Sequence, residues 1–363
     1  MRTSKRMVTV ASAGSLLAVV TAAPGTATST PGPTASRSSV QISTSSTDNT
    51  ASTLTTNTFT TNAATTNAAT TSLVPTTGAL WGAYVQIPGL QHRQAVLQRE
   101  KTLGYKLRID QRFRAWTGTT LDDEAWTISQ GRIPMISWAA GPDVTALQIT
   151  SGSQDGTIRK MAASVKALKA PVLLRFAYEM DQPPGEPRYI GTPTNFIAAW
   201  RRVHGIFVSA GVTNVSWVWC GVAERFRSTS TIHSQDFYPG DAYVDWIGAD
   251  VYNMYPDTPN WAGYYPLPGT TRPGKMDAPA AFAASRHKPA LVGETATMED
   301  VNVPGRKAAW INDAHSWIKA HPNVKAVAYF DSISPRGRDF RVTTSASAFS
   351  AFKSWGADPY FKR

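Results

Sequence analysis

Four carboxylic acids each follow an apolar run of the sequence: Glu179, Asp250, Glu294 and Asp331. Two carboxyl groups that face one glycosidic bond can cleave it, because one donates a proton to the leaving oxygen while the other, ionised, attacks the anomeric carbon. At the roughly 5–5.5 Å separation that double displacement requires, their charges push the two pKa values apart, which suits an acid and a nucleophile. Glu179 and Glu294 are the candidate pair.

A single glutamate at the end of a strand can equally be a structural ion-pair partner. Arg175 lies on the same face of an extended strand as Glu179, so an ion pair between the two is the alternative interpretation. The second glutamate, together with Asp250 and Tyr252 after another apolar run, favours a catalytic site.

Eight short apolar runs, rich in β-branched and aromatic residues, predict the strands that position these acids. Most are separated by enough chain for a helix, and this alternation implies a parallel sheet. Eight such units match a closed (β/α)₈ TIM barrel of the α/β class, with an open doubly wound sheet as the alternative. Active sites of such barrels lie at the C-terminal ends of the strands. The predicted strands are LWGAYV (80–85), YKLRID (105–110), IPMISWA (133–139), PVLLRFAY (171–178), VSWVWC (215–220), YVDWIGAD (243–250), PALVG (289–293) and VKAVAYF (324–330).

Two connecting segments show the apolar stripe of an amphipathic helix. Residues 195–210 carry one stripe, with Thr192 or Thr194 available as the N-cap and Gly211 as the terminator. Residues 306–320 repeat the pattern. Both segments therefore predict helices that cover the sheet.

Tryptophan side chains near predicted strand ends are candidate platforms on which a sugar ring can stack. Trp138 and Trp219, at the ends of the third and fifth strands, are the preferred candidates, and Trp81, Trp116 and Trp261 are further ones. Core packing is the alternative interpretation for each of these side chains.

Several segments, taken in order, resemble glycoside hydrolase family 26. LLRFAYEMD (173–181) is similar to the acid/base strand of that family, whose pattern is close to R-x-x-H-E-M-N, and KPALVGET (288–295) is similar to its nucleophile segment. FYPGDAYVDWIGADVYN (237–253) resembles the sixth strand. The similarity extends over about residues 80–355.

This resemblance implies a retaining barrel hydrolase in which Glu179 is the acid/base and Glu294 the nucleophile. It also implies that Asp250 and Tyr252 line the sugar next to the nucleophile. The implied substrate is a β-linked polysaccharide of the β-mannan or β-glucan type. The predicted substrate-binding side chains are Arg175, Tyr178, Asp181, Trp138, Trp219, Asp250, Tyr252 and Phe330.

Two positions depart from the pattern of the family. Tyr178 stands where the family usually has His, and Asp181 where it usually has Asn. The aromatic-rich stretch expected after the acid/base is replaced by QPPGEPRYIG (182–191). These positions surround the sugar at the cleavage point, so the departures concern mannan specificity more than the glutamate chemistry.

The N-terminal part of the chain has a different composition from the rest. Residues 1–27 combine a basic start with an apolar stretch and small residues, which predicts a secretory signal peptide. Residues 28–77 are mostly Ser, Thr, Ala and Asn and predict a disordered linker. The catalytic barrel is expected over residues 78–363, in a secreted protein that associates with a cell wall or remains free.

Charge and cysteine content limit the partners of this chain. The net charge is +11, but the basic residues are dispersed, so we expect no nucleic-acid binding. The single cysteine, Cys220, excludes an intrachain disulfide and is expected to be a small buried side chain. We expect no cofactor, no metal, no stable membrane insertion and a monomer. Two alternatives remain: a non-catalytic carbohydrate- or wall-binding barrel, and a hydrolase of an acidic exopolysaccharide.

Overall fold

The computed structural model of the chain describes residues 73–258, 260–266 and 273–363. The predicted signal peptide (1–27) and most of the predicted linker (28–72) lie outside the described residues. Leu73 and Val74 pack against the apolar cluster inside the barrel, close before the first strand. In the described part of the chain, no helix is long and apolar enough to cross a membrane.

Eight parallel strands form a closed barrel, because β1 pairs with both β2 and β8 and each other strand pairs with its neighbours in the chain. This confirms the predicted (β/α)₈ architecture. The strands are buried on both faces, which explains their nearly continuous apolar sequences. They are β1 Ala79–Val85, β2 Ile109–Arg114, β3 Ile133–Trp138, β4 Val172–Phe176, β5 Val215–Val222, β6 Trp246–Asn253, β7 Ala290–Thr297 and β8 Val324–Asp331, and a short β9, Phe361–Lys362, pairs with β1.

Helices cover the outside of this barrel. Thr192 caps the fifth helix by accepting a hydrogen bond from the backbone N–H of Asn195, as the sequence predicted for one of two threonines. The seventh helix has the predicted bounds. The helices are α1 His92–Leu103, α2 Asp122–Ser129, α3 Ala146–Thr150, α4 Asp155–Ala167, α5 Pro193–Ser209, α6 Asp277–Ser285, α7 Arg306–Ala320 and α8 Ala346–Ala357.

Apolar side chains form two clusters, one on each side of the sheet. The larger cluster fills the layer between strands and helices. The smaller one fills the barrel interior with alternate residues of the strands, among them Met135, Leu173 and Val218. Cys220 belongs to this inner cluster and is buried. A packed interior leaves only the C-terminal mouth of the barrel to hold a functional site.

Two strands, β2 and β6, begin several residues later than the sequence predicted. Strand β2 begins at Ile109 and not at position 105, because the backbone N–H of Leu107 donates to the Glu100 carboxylate (2.9 Å). Strand β6 begins at Trp246 because Tyr243 lies in a short 3₁₀ turn. Strands β4 and β7 also end at other residues than predicted, and these ends determine where Glu179 and Glu294 lie.

Candidate active site

Arg175, on β4, connects the charged side chains at the barrel mouth. Its Nη2 donates to both oxygens of Asp250 (2.7 and 2.6 Å) and its Nη1 to Oε1 of Glu294 (3.0 Å). A further hydrogen bond joins Nη1 to the Ser137 hydroxyl (3.0 Å). The alternative that Arg175 pairs with Glu179 is therefore wrong. Because Arg175 is fully buried, it positions the acids and does not meet a ligand, which corrects its predicted place among the substrate-binding residues.

Glu294 receives a hydrogen bond on each carboxylate oxygen. Arg175 donates to Oε1, and the Tyr252 hydroxyl donates to Oε2 at 2.7 Å. Burial, and then the charge of Glu294, raises the pKa of Tyr252 well above its usual value, so the phenol keeps the proton that it donates. Both donors stabilise a negative charge on Glu294, as a carboxylate nucleophile requires.

A β-bulge in β7 directs Glu294 into the mouth. Opposite β6, Ala249 pairs with Val292 and Asp250 pairs with Glu294, so Gly293 is the extra residue. The sequence placed Glu294 just after the end of this strand, whereas the strand continues to Thr297. Bulges of this kind often re-aim a side chain beside a functional site.

Gly293 leaves no room for a larger side chain. A Cβ built there lies 2.6 Å from Asp250 Oδ1, 2.7 Å from Cys220 Sγ and 2.9 Å from Arg175 Cζ. Such distances force neighbours to move, and the neighbours here belong to the buried ion-pair cluster.

We expect Gly293→Ala to lower kcat/KM by about a hundredfold, because displacing reacting groups by about 1 Å has that effect. Overpacking should also reduce the free energy of unfolding by about 1–3 kcal/mol. The matched control is Gly205→Ala in α5, where nothing lies within 4 Å of the added Cβ. Steady-state kinetics and thermal unfolding of both variants measure these effects. Wild-type kinetics in Gly293→Ala would show that the added methyl group does not displace the acids of the cluster.

Glu179 lies in a strained turn after β4 and not at the end of the strand. Strand β4 ends at Phe176, and Ala177 and Glu179 have positive φ angles of 44° and 54°. The Glu179 backbone N–H donates to the Cys220 carbonyl at 2.9 Å, which ties the turn to β5. Left-handed backbone at residues other than glycine often marks functional sites, where surrounding structure maintains the strain.

The Glu179 carboxyl has a very different environment from that of Glu294. It is half-buried and, within the described residues, it accepts no hydrogen bond. Burial, followed by the nearby Glu294 carboxylate, raises the pKa of Glu179 to about 8. Glu179 is therefore protonated at neutral pH, while Glu294 has two donors. These are the properties of a general acid and a nucleophile.

The two positions that depart from the family pattern have different surroundings. Tyr178 is buried, with the guanidinium carbons of Arg175 and Arg188 at 4.7 and 4.5 Å from its ring centre. Asp181 is fully buried and accepts hydrogen bonds from the Val222 backbone N–H and the Ser234 hydroxyl. The prediction that Asp181 binds substrate is wrong, because its carboxylate fastens the segments after β4 and β5 to each other.

Trp138 and Trp219 are not sugar platforms, which corrects the prediction. Both have no exposed surface and lie in the layer between strands and helices. Trp138 stacks on Trp116 with ring centres 4.4 Å apart, and Trp219 donates to the Phe237 carbonyl at 3.2 Å. Side chains alternate along a strand, and both tryptophans occupy outward positions, so the ends of their strands do not bring them to the mouth.

Other aromatic side chains line the mouth. Phe330, a predicted substrate-binding residue, stacks on Tyr84 at 5.3 Å and contacts Tyr252 edge-on at 6.0 Å. Phe113 packs edge-on against Tyr84 at 4.8 Å. Sequence reasoning missed Tyr84, Phe113 and also Arg188. Tyr84 and Phe113 were detectable as inward-facing residues at the C-terminal ends of β1 and β2, whereas Arg188 lies in a long connection without a pattern.

Comparison with known proteins gives consistent matches. The model of the family described as "Glycosyl hydrolase family 26" matches residues 153–289. Endoglucanase H of Acetivibrio thermocellus is 28% identical over 292 residues, covering 76% of this chain and 30% of that protein. The chain thus spans less than a third of the length of this curated relative.

Solved structures show the same fold. A GH26 β-mannanase from Bacteroides ovatus superimposes with a TM-score of 0.58 at 14% identity, covering 79% of this chain and 90% of that one. The catalytic domain of a GH26 endo-β-1,4-mannanase from Bacillus sp. JAMB-750 gives 0.58 at 16% identity, with 78% and 87% covered. At these identities the likeness concerns the barrel and its strand order.

Proposed function

Because the chain belongs to glycosyl hydrolase family 26, we propose that it hydrolyses a β-linked polysaccharide by double displacement with retention of configuration. The observation that carries the mechanism is the contrast between two glutamates at one barrel mouth. Among the described residues, Glu294 accepts hydrogen bonds from two donors, whereas Glu179 accepts none and has a pKa raised to about 8.

In the first step, Glu179 protonates the glycosidic oxygen while a carboxylate oxygen of Glu294 attacks the anomeric carbon. The bond to the leaving sugar breaks, its electrons remain with the protonated oxygen, and a glycosyl ester of Glu294 forms. In the second step, Glu179, now ionised, removes a proton from water, whose oxygen displaces Glu294 at the same carbon. Both glutamates return to their starting protonation states.

The surrounding residues favour these roles over the reverse assignment. Arg175 and Tyr252 would stabilise Glu294 again when it leaves as a carboxylate in the second step. Ionising Glu179 before the reaction would place an unpaired charge beside Glu294, which burial and repulsion oppose. The proton therefore starts on Glu179.

The named relatives support a β-glucan or β-mannan backbone as substrate, since they include an endoglucanase and endo-β-1,4-mannanases. The half-buried Tyr84 and Tyr252 supply ring surface at the mouth for such a backbone. Secretion, through a signal peptide at residues 1–27, belongs to the same proposal, because polysaccharides of this kind lie outside cells. The proposal also includes that the protein associates with the cell wall and is a monomer.

The proposal is tested with linear β-1,4-mannan, β-1,4-glucan, mixed-linkage β-glucan and β-1,3-xylan. We expect release of reducing ends from at least one of them. We also expect the first product observed by proton NMR to have the β configuration before it mutarotates. An α product would exclude double displacement. Binding to a polysaccharide without any reducing-end release would identify a non-catalytic carbohydrate-binding barrel instead.

The pH dependence follows from the acid. Since Glu179 must be protonated and its pKa is raised to about 8, kcat/KM on a substrate with a poor leaving group should fall as the pH rises above about 8. A dinitrophenyl glycoside leaves without protonation, so its glycosylation step should lack this alkaline decline. An alkaline decline already centred near pH 5 on the poor substrate would contradict the raised pKa.

A further inference from the structure

Arg188 lies beside the acid/base, in the connection between β4 and α5. Its guanidinium carbon is 4.5 Å from the ring centre of Tyr178, the residue that directly precedes Glu179. The Arg188 side chain is half-buried, in contact with the mouth and with solvent. Arg188 donates a hydrogen bond neither to Glu179 nor to the acids around Arg175.

Arg188 has no anionic partner within the described residues. It takes part in no ion pair and its guanidinium donates no hydrogen bond there. Some other half-buried arginines have carboxylate partners, such as Arg112 with Asp123 at 2.7 Å. Arg108, Arg225 and Arg227 instead donate to carbonyl or hydroxyl oxygens, so they too have hydrogen-bond acceptors. A guanidinium does not lose its proton in proteins, and its planar donors match a carboxylate in two parallel hydrogen bonds.

The acidic groups at the mouth favour a cation at the position of Arg188. Glu294 and Asp250 are both paired with the single cation of Arg175, so this cluster has a surplus of one acidic group over cations. An anionic sugar approaching the cleavage point would be repelled by that surplus. Arg188 offsets it, and its charge opposes the larger effects of burial and Glu294 on Glu179.

A second cationic position lies in a cleft that shares Tyr84 with the mouth. A polar cleft of about 530 Å³ is lined by Tyr84, Arg93, Arg112 and Asp123. Arg93 and Arg112 share the one carboxylate of Asp123, at 2.9 and 2.7 Å, which leaves a surplus of one positive charge among these three side chains. Tyr84 belongs both to this cleft and to the aromatic lining of the mouth, so a polymer that leaves the mouth there meets this surplus charge.

We propose that the substrate carries uronate units, and that Arg188 binds the carboxylate of the sugar beside the cleavage point. Arg188 is then a specificity-determining residue that selects an acidic β-linked polysaccharide over its neutral counterpart. This inference rests on the proposed hydrolase function and names the substrate class of that same site. The net charge of +11 acts in the same direction, since it attracts polyanions.

The test uses matched polymers: β-1,4-mannan and β-1,4-glucan, each beside a sample whose primary hydroxyls have been partly oxidised to carboxylates. Wild type should cleave an oxidised polymer with the higher kcat/KM. The preference is measured as kcat/KM on the oxidised polymer divided by kcat/KM on its unoxidised parent. Arg188→Gln should lower this ratio by about tenfold to a hundredfold, because one hydrogen-bonded pair with a charged group contributes about that much. Arg188→Lys should retain part of the preference. Lys160→Gln removes the same charge from the exposed face of α4 and should leave the ratio unchanged.

The outcomes separate this inference from the proposed function. Equal losses on oxidised and parent polymers in Arg188→Gln would mean that Arg188 acts only through Glu179 and would overturn the inference. So would a wild-type enzyme that prefers the neutral polymer. A neutral dinitrophenyl glycoside reports on the hydrolase itself, because its turnover needs no carboxylate. Thermal unfolding of Arg188→Gln shows whether the variant is folded, and added salt should reduce only the preference for the oxidised polymer.

Discussion

Replacing Glu294 by alanine is expected to reduce turnover of a dinitrophenyl β-glycoside by about four orders of magnitude or more. Without this carboxylate the covalent glycosyl ester cannot form. The good leaving group does not compensate, because it facilitates only its own departure and does not replace the nucleophile. The variant also removes the partner of Arg175 and Tyr252, so its folding must be verified by thermal unfolding.

Azide provides a positive result for the same variant. The space left by the Glu294 carboxylate lies on the face from which the nucleophile attacks, so azide bound there should partly restore turnover and give an α-glycosyl azide. Glu186→Gln, on an exposed connection and, in the described part of the chain, paired only with Arg336, is the matched control and should retain wild-type turnover. Substantial turnover in Glu294→Ala without azide would exclude Glu294 as nucleophile.

The loss of activity on replacing Glu179 by alanine should depend on the leaving group of the substrate. On a polysaccharide, whose leaving alcohol needs a proton, kcat/KM should fall by about 10²–10⁴-fold. On a dinitrophenyl glycoside the first step should change little, and hydrolysis of the glycosyl-enzyme should become rate-limiting, because water has lost its general base. Azide needs no base, so it should accelerate this variant and give a β-glycosyl azide.

The comparison of the two glutamate variants assigns the roles. Opposite anomers of the azide product, α from Glu294→Ala and β from Glu179→Ala, fit only Glu294 as the nucleophile and Glu179 as the acid/base. An equal loss on good and poor leaving groups in Glu179→Ala would contradict its role as the acid. Asp181→Asn is a matched control for charge near Glu179, since Asp181 is buried in hydrogen bonds to Val222 and Ser234.

The sequence was sufficient for the barrel because its strands are buried on both faces. Their apolar runs are therefore visible without tertiary information, and the eight runs correspond to the eight strands. Strand ends were less well predicted. The bulge at Gly293 and the positive φ angles at Ala177 and Glu179 are tertiary effects, held by contacts with Asp250 and the Cys220 carbonyl that no local pattern reveals.

The same distinction explains where the predicted site residues lie in the structure. The Tyr252 hydroxyl donates to Glu294, so two residues that the family resemblance singled out lie beside each other, and their roles stay predictions. Trp138 and Trp219 were misplaced because their distance along the strand was considered without the side to which they point. Arg188 was missed because its significance depends on the absence of a partner among the described residues, which only coordinates can show.

The Arg175 cluster imposes a conflict between stability and function. One guanidinium joins β4 to Ser137 on β3, Asp250 on β6 and Glu294 on β7, all inside the barrel. Transferring such ions out of water is costly, and replacing a buried ionic cluster by well-packed apolar residues often stabilises a protein by about 1–4 kcal/mol. Selection for thermostability alone would therefore tend to remove this cluster, and engineering of a more heat-resistant enzyme has to leave these positions fixed and draw its gains from the helical shell.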